Sequence, residues 1–188
     1  IQGDLHFMKE HVMVTDARIA LKESDVSLSR ISFQWDSRNR KSWGDYCKKI
    51  FQTYLINDGS YVNFRDIAYF NGKLRGIENT VYVSGVVDNT IDRLQGRNLK
   101  LGIDRDTRFR GSFKTYGLPY VDTTVFDINI VDGFFSPHEL ATVYLPWFTR
   151  YIPVPSPIKN FKIIRGDFLN FDGTFTEFDV KARTSTNG

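Results

Sequence analysis

Residues that could do chemistry are few in this chain, and their spacing does not gather them into a reactive site. The three histidines are widely separated, and none has a second metal ligand at a paired spacing: His6, His11 and His138. Four aspartates could supply the two carboxylates of a glycoside hydrolase, namely Asp88, Asp92, Asp104 and Asp106. They fall at predicted strand ends and turns, where aspartate serves backbone hydrogen bonding. These residues therefore predict neither a metal site nor a catalytic carboxylate pair.

Nucleophilic chemistry has equally little support. The single cysteine, Cys47, lies on the apolar face of a short predicted helix, where a thiol usually packs rather than attacks. The sequence contains no serine-centred nucleophile elbow and no glycine-rich phosphate loop. One cysteine also excludes an intrachain disulfide. We therefore expect a binding module that needs no cofactor, and not an enzyme.

The composition is that of one soluble globular domain, with 188 residues, 41% hydrophobic and 25% charged, and a net charge of +3. Basic and acidic residues are interspersed, which argues against a nucleic-acid partner. The longest uncharged stretch near the aromatic-rich end, residues 140–149, is too short to cross a bilayer. Because the chain starts without methionine or an export leader, we expect a piece of a longer protein.

Apolar residues recur at every second position in many segments, which is typical of β-strands with one apolar face. Aromatic residues make up 15% of the chain, which also favours strands over helices. The alternating sets are Leu5 and Phe7; Val12 and Val14; Ile19 and Leu21; Val26 and Leu28; Ile31, Phe33 and Trp35; Val81, Val83, Gly85 and Val87; Leu99, Leu101 and Ile103; Phe109, Gly111 and Phe113; and Phe126, Ile128 and Ile130. The sequence therefore predicts an all-β chain.

Turns, helices and a connector are predicted between these runs. Turn signals occur at residues 57–59, 71–72, 95–96 and 172–173. Two short helices are expected, one near Ser42 with capping-box spacing and one at Ser136 with Pro137 in the first helical position. Four of the six prolines lie in residues 146–157, so this stretch is predicted to be an extended connector inside a single domain over residues 1–188.

A degenerate repeat appears when the chain is compared with itself at an offset of 81 residues. Six positions map onto positions of similar type: Val83 onto Ile164, Gly85 onto Gly166, Val87 onto Phe168, Leu94 onto Phe175, Leu99 onto Val180 and Leu101 onto Ala182. A unit with one apolar strand face cannot bury that face alone, so repeated units stack side by side. We expect an elongated sheet, in which a dozen strands about 4.7 Å apart would extend roughly 55 Å.

Several short motifs follow one another in the second half of the chain. A strand with a central glycine at 81–87 leads to Leu-x-Gly-x-Asn-Leu at 94–99 and Thr-x-Phe-x-Gly at 107–111. Gly-Leu-Pro at 117–119 and Leu-Pro at 145–146 come next. In this order they resemble the C-terminal region of the TamB family, the translocation and assembly module proteins of the AsmA-like superfamily. Further matches at 166–168 and 178–179 extend the resemblance over residues 4–188.

The resemblance implies a taco-like or half-pipe β-sheet with a hydrophobic concave face. It places the protein in the periplasm of the Gram-negative cell envelope, anchored at the inner membrane by an N-terminal helix outside this sequence. Family members are linked to phospholipid transport between the inner and outer membranes and to the assembly of outer-membrane barrels. The partners expected on this basis are phospholipid and a TamA-like barrel assembly factor.

The resemblance and the alternation together predict a hydrophobic groove for lipid. Acyl chains would lie along the apolar faces of the strands, and headgroups would stay at the open rim. Glycines at Gly85, Gly111 and Gly166 are expected to leave room where a lipid or another backbone comes close. The predicted groove residues are Val83, Val87, Leu99, Leu101, Phe109, Phe113, Phe126, Ile128, Ile164, Phe168 and Val180.

Three other interpretations stay open from the residues alone. The same apolar residues could form the core of a closed β-sandwich, and without the resemblance this interpretation takes precedence. An exposed edge strand could instead accept a barrel strand by β-augmentation. Trp35, Trp43 and Trp147 could stack on sugars in a carbohydrate-binding sandwich, which predicts aromatics on an outer face. Trp147 and Phe148 could also touch a membrane or a partner.

Overall fold

The computed structural model describes residues 2–36, 43–70, 72, 75–142, 144–145, 150–151, 156, 162, 164–174 and 176–186. Strands and short helices of this part are numbered in chain order. The strands are β1 (Gln2–Met8), β2 (His11–Ala20), β3 (Asp25–Gln34), β4 (Phe51–Ile56), β5 (Tyr61–Asn63), β6 (Thr80–Asn89), β7 (Gln95–Ile103), β8 (Thr107–Tyr116), β9 (Val125–Phe135), β10 (Tyr144–Leu145), β11 (Arg150–Tyr151), β12 (Ile164–Gly173) and β13 (Phe178–Thr186). The helices are α1 (Trp43–Lys49), α2 (Phe64–Ile67) and α3 (Pro137–Thr142).

Eleven of the described strands form one antiparallel sheet. Its order is β1-β2-β3-β4-β6-β7-β8-β9-β12-β13, and β5 pairs with β3 and β6 beyond the end of β4. β4 and β5 therefore share one position in the sheet, between β3 and β6. Ten strands side by side at about 4.7 Å make a sheet about 45 Å wide across the strands. The predicted fold class, an all-β elongated half-pipe, is confirmed.

The register places apolar positions of neighbouring strands side by side on one face of the sheet, called the apolar face below. Val83 of β6 lies opposite Leu101 of β7, and Leu101 lies opposite Phe109 of β8. The same alignment continues in the first strands, where Val12 lies opposite Phe33. Residues that pair directly on neighbouring strands have their side chains on the same face of the sheet. The apolar positions of the separate strands therefore form one continuous surface.

This surface is only partly shielded from solvent. Among the described residues, the buried hydrophobic side chains are Ala17, Leu28, Cys47, Ile77, Leu99 and Ile164. Leu101 is 38% exposed and Val180 is 50% exposed, although both lie on the apolar face. The other described sheet pairs the two residues of β10 with those of β11. The described chain is therefore an open single sheet, and a closed sandwich is not its architecture.

The two predicted helices are present in the structure, whereas two of the four predicted turns are not where they were expected. α1 begins at Trp43 and α3 at Pro137, as expected. The short α2 was not predicted, although Asn63 caps it by accepting the Arg65 N–H at 2.9 Å. The predicted turn at residues 95–96 is wrong, because both lie in β7 and the chain turns earlier, in a 3-10 turn at Ile91–Arg93. The predicted turn at residues 172–173 is wrong in the same way, because both lie in β12 and the chain turns after them, where the Thr174 N–H donates to the Glu177 carbonyl.

The proline-rich connector is described only in part. Tyr144 pairs with Tyr151 and Leu145 with Arg150, and of the predicted connector at residues 146–157 only residues 150, 151 and 156 are described. Residues 146–149, 152–155 and 157 lie outside the described residues, and so do the side chains of Trp43, Trp147 and Phe148. The prediction for Trp147 and Phe148 falls outside the described part of the chain.

Candidate functional site

Ten of the eleven predicted groove residues lie on the apolar face. The register joins them in rows of residues that lie opposite each other on neighbouring strands. Leu101 lies between Val83 and Phe109 in one row. In another row Val87 lies opposite Gly96, Gly96 opposite Phe113, and Phe113 opposite Ile128, while Phe126 lies opposite Thr115. Ile164 lies opposite Phe135, which contacts the Phe109 ring at a centroid distance of 6.3 Å. Val180 extends the row of Ile128, because Val180 lies opposite Phe171 and Phe171 lies opposite Ile128.

Phe168 is the exception among the predicted groove residues. The register between β12 and β13 shifts by one residue between Gly166 and Phe168. After this shift Leu169 and Phe171 continue the apolar face, opposite Ile130 and Ile128. Because side chains alternate along a strand, Phe168 points to the opposite side of the sheet. The structure therefore does not bring Phe168 together with the other predicted groove residues.

A cavity of about 360 Å³ opens on the apolar face over β7, β8 and β9. Its walls are almost entirely carbon, which fits a ligand with no polar groups. Six predicted groove residues line it: Leu99, Leu101, Phe109, Phe113, Phe126 and Ile128. Leu94, Leu118 and Ile130 complete the apolar walls. Val83, Val87, Ile164 and Val180 share the face but not this cavity.

Sequence reasoning missed Leu94 and Leu118 as lining residues. Both lie outside the strands, Leu94 after the 3-10 turn and Leu118 in the loop between β8 and β9. The loop is tied to that turn, because the Gly117 N–H donates to the Asp92 carbonyl at 2.9 Å. Alternation could not identify them, since they belong to no alternating run, whereas Ile130 continues the Phe126 and Ile128 alternation.

The three glycines predicted to leave room do so in two different ways. At Gly85, with φ of +124°, an added Cβ would lie 2.7 Å from the Asn98 carbonyl oxygen. At Gly111 an added Cβ would collide with the Asn129 carbonyl oxygen. Both glycines therefore admit a neighbouring backbone. Gly166 has open space where a Cβ would lie, so it leaves the surface of the sheet uncovered.

The opposite face of the sheet carries paired charges. Lys100 Nζ lies 2.7 Å from the Asp58 carboxylate, and Arg110 lies 2.8 Å from that of Asp132. The hydrogen bond from Lys100 is the largest cause that lowers the pKa of the Asp58 carboxyl below its ordinary value. Asp88, buried at the edge of this face, pairs with Arg97 and accepts the Gln95 amide at 2.7 Å. The two faces thus differ sharply in polarity.

Polar groups interrupt the apolar face at β4. Tyr54 lies opposite Val87, and its hydroxyl donates to the buried Gln52 side chain at 2.7 Å. Burial raises the pKa of the Tyr54 hydroxyl, and the nearby Tyr46 acts in the same direction. The ring of Tyr54 also meets Phe33 edge to face. The carbon-lined cavity therefore belongs to the part of the face beyond β6.

Of the residues considered for catalysis, Asp92 and Asp104 make hydrogen bonds within the fold, and Cys47 is buried. The Asp104 carboxylate accepts the Asn79 amide at 2.6 Å and the Thr80 N–H at 2.8 Å. Asp92 accepts the Thr90 hydroxyl at 2.6 Å, and Cys47 is buried in α1. Within the described ranges, no cluster of three or more His, Cys, Asp or Glu side chains could hold a metal ion.

The aromatic side chains near the cavity lie on both faces of the sheet. Tyr82 points away from the apolar face, and the Arg108 guanidinium covers its ring at 5.0 Å from the centroid. A methyl at Gly102 would approach the Arg108 side chain at 2.9 Å, so this glycine makes room for the arginine. The rings of Phe109, Phe113 and Phe126 lie on the apolar side instead.

The fold and cavity define an open antiparallel sheet with one apolar, partly uncovered face. None of the described helices is long or apolar enough to cross a membrane. Comparisons with protein-family models, with curated proteins and with solved structures find no match. Membership of the TamB family therefore stays a prediction from the sequence motifs.

Proposed function

We propose that this chain is a non-enzymatic lipid-binding module that holds phospholipid acyl chains against the apolar face of its sheet. The observation that supports it is the carbon-lined cavity of about 360 Å³ on a face that no second described sheet covers. An acyl chain gains about 0.8 kcal/mol for each methylene removed from water. The cavity offers an acyl chain such an environment without a polar partner.

The same face supports passive movement of lipid rather than chemistry on it. Phe113 and Ile128 lie in one row, and the next row contains Leu99 and Ile130 on either side of Gly111. Leu101 and Phe109 form the row after that, so successive sites present similar apolar walls. A ligand that binds adjacent sites with similar free energy can shift between them without a large barrier. Headgroups would stay in water at the open side, where Leu101 is exposed.

The wider role in this proposal comes from the sequence resemblance. It is a bridge for phospholipid between the inner and outer membranes of the Gram-negative envelope, with a part in outer-membrane protein assembly beside a TamA-like partner. The open sheet supports the lipid-holding step of that role. The envelope location and the partner rest on the motifs at 81–119.

Native mass spectrometry of the purified 188-residue chain, with extraction and identification of bound lipid, tests the proposal. Leu101→Asp places a charge at the cavity, and Phe168→Asp places the same charge on the opposite face. The two side chains are matched, at 38% and 40% exposed in strands of the same sheet. Far-ultraviolet circular dichroism verifies that both variants fold.

We expect phospholipid to co-purify with the wild-type chain and with Phe168→Asp, and to fall at least tenfold in folded Leu101→Asp. A carboxylate cannot be buried beside acyl chains without a large desolvation penalty. Equal lipid on both variants, or a wild-type chain free of lipid after exposure to phospholipid vesicles, would contradict the proposal.

A second candidate function, β-augmentation, is favoured by the sheet edges. In the described part of the chain, β1 pairs only with β2 and β13 only with β12. Each edge leaves backbone groups that an added strand could pair with. Hydrogen exchange of β1 and β13 amides, measured with and without a synthetic outer-membrane barrel strand, tests it. Protection confined to one edge strand would support augmentation, and unchanged exchange would exclude it.

A further inference from the structure

The two edge strands of the sheet carry apolar side chains that are largely uncovered. In the described part of the chain, β1 pairs only with β2 and β13 only with β12. Leu5 and Phe7 of β1, and Phe178 and Val180 of β13, are each at least 50% exposed. All four continue the apolar face, since their partners belong to it. The apolar face therefore ends, at both edges, in side chains that an added strand would cover.

Two adjacent rows of directly opposed residues cross all ten positions of the sheet. One row lies on the apolar face and runs from Leu5 in β1 to Val180 in β13. The other lies on the opposite face and runs from His6 to Asp179. Register shifts interrupt other rows. These two rows therefore fix how the two edges are aligned with each other.

The two edges also have matching strand directions. Every neighbouring pair between β1 and β13 is antiparallel, and the sheet has ten positions, so β1 and β13 run in opposite directions. A second copy that lies beside the first in the same orientation brings its β1 antiparallel to β13 of the first. The apolar faces of both copies then lie on the same side. One copy can thus continue the sheet of another.

Charges at the two edges are complementary in this arrangement. Continuing both rows into the second copy sets its His6 opposite Asp179 and its Asp4 opposite Lys181. Pairs of opposite charge stabilise strands that lie side by side, and like charges destabilise them. A slip of two residues would set Asp4 against Asp179 in one direction, or His6 against Lys181 in the other. The charges therefore select the register that the rows define.

The aromatic side chains of the edges favour pairing of unlike edges. The same register sets Phe7 of the second copy opposite Phe178, whose ring already stacks on that of Phe171 at a centroid distance of 5.1 Å. Aromatic pairs across strands are stabilising. Either edge paired with itself in the same rows would place Phe7 opposite Gly3, or Phe178 opposite Ala182. Only β1 against β13 brings the two rings together.

We propose that β1 of one copy of this chain pairs with β13 of the next, in a head-to-tail assembly that extends the sheet and its apolar face. Each added copy leaves one free β1 and one free β13, so the assembly grows beyond two copies. The proposal goes beyond lipid binding and does not rest on it. It uses the edges of the second candidate function, with a second copy in place of a barrel strand.

Sedimentation velocity of the purified 188-residue chain over a range of concentrations tests the assembly. Asp4→Lys and Lys181→Asp each set two like charges opposite each other at the contact. An equimolar mixture of these two variants restores opposite charges wherever unlike copies meet. Asp122→Lys and Lys48→Asp are the controls, because they reverse exposed charges outside the edge strands. Far-ultraviolet circular dichroism verifies that every variant folds.

We expect the wild type and both controls to form species larger than a dimer as the concentration rises. Each edge variant alone should associate at least tenfold more weakly, and their mixture should associate like the wild type. A monomeric wild type would overturn the proposal and leave the edges to a strand of another protein. A wild type that stops at a dimer, or a mixture that associates no better than its components, would also overturn it. Bound lipid, measured by native mass spectrometry on the same samples, reports on the cavity separately.

Discussion

The ring of Phe113 lies against Gly96, its cross-strand partner on the neighbouring strand. The aromatic side chain covers the surface that glycine leaves bare, and the Leu99 side chain approaches the same point. Phe113 and Leu99 both line the cavity. Gly96 therefore fixes the position of two cavity walls, although it contributes no side chain itself.

Gly96→Ala tests this relationship. The added methyl would overlap the Phe113 ring and reach Leu99, so we expect a loss of about 1–3 kcal/mol in the free energy of unfolding. Gly166→Ala is the control, because nothing lies within 4 Å of the added Cβ. It should leave stability unchanged or raise it by up to about 1 kcal/mol. Urea denaturation measures both, and equal losses would refute the assigned packing.

Filling the cavity should displace lipid without adding charge. Leu101→Trp puts a bulky ring where the lining is 38% exposed, so the fold can accommodate it. We expect bound phospholipid to fall several-fold by native mass spectrometry. Val180→Trp makes the same kind of change on the same face but outside the cavity lining, and should retain lipid. An equal loss in both variants would show that lipid is not confined to this cavity.

Glu139 should make the stability of the fold depend on pH in the acidic range. Burial alone raises the pKa of this carboxyl, but the N–H groups of Asp106 and Arg105, each 2.9 Å from Oε1, outweigh it and hold the pKa below its ordinary value. A lowered folded pKa contributes stability that is full above the unfolded pKa of about 4.3 and is lost as pH falls through the folded value.

Glu139→Gln removes that dependence. We expect the variant to be less stable than the wild type by about 1 kcal/mol near neutral pH, because the charge-assisted bonds to the β7–β8 turn weaken. The difference should shrink as pH falls below about 4. Urea denaturation at a series of pH values measures it. A difference that does not vary with pH would show that the Glu139 charge contributes nothing.

Asp88 should contribute more to the free energy of unfolding than the other carboxylates of the charged face. Its side chain is 6% exposed, and it holds both Arg97 and the Gln95 amide. Asp88→Ala leaves these donors without their acceptor, so we expect a loss of about 1–3 kcal/mol in the free energy of unfolding. Asp132→Ala, which breaks an exposed pair with Arg110, should stay near wild type. Equal effects in chemical denaturation would contradict this ranking.

Alternation along the chain predicted much of the fold. Side chains along a strand point alternately to the two faces of the sheet. The alternating apolar positions that include Leu101 in β7 and Phe109 in β8 were therefore enough to assign each strand an apolar face. The same local physics located α1 and α3 from their first residues. Ten of the eleven groove residues share a face for this reason.

Register and long-range order came only from the tertiary structure. The offset of 81 residues matches the hairpin β6–β7 with β12–β13, but Val83 lies opposite Leu101 whereas Ile164 lies opposite Thr186 and not Ala182. Local pattern does not encode which residues meet across a ladder, because pairing depends on the bulges and turns that set each register.

By itself the sequence determined an all-β chain with one apolar face per strand, since that depends on nearest neighbours along the chain. The tertiary structure decided where those faces meet. It turned Phe168 away through a one-residue shift in β12, and it brought Leu94 and Leu118 from separate loops to the walls of one cavity. Contacts between segments far apart in sequence are set by packing and register, which no local spacing specifies.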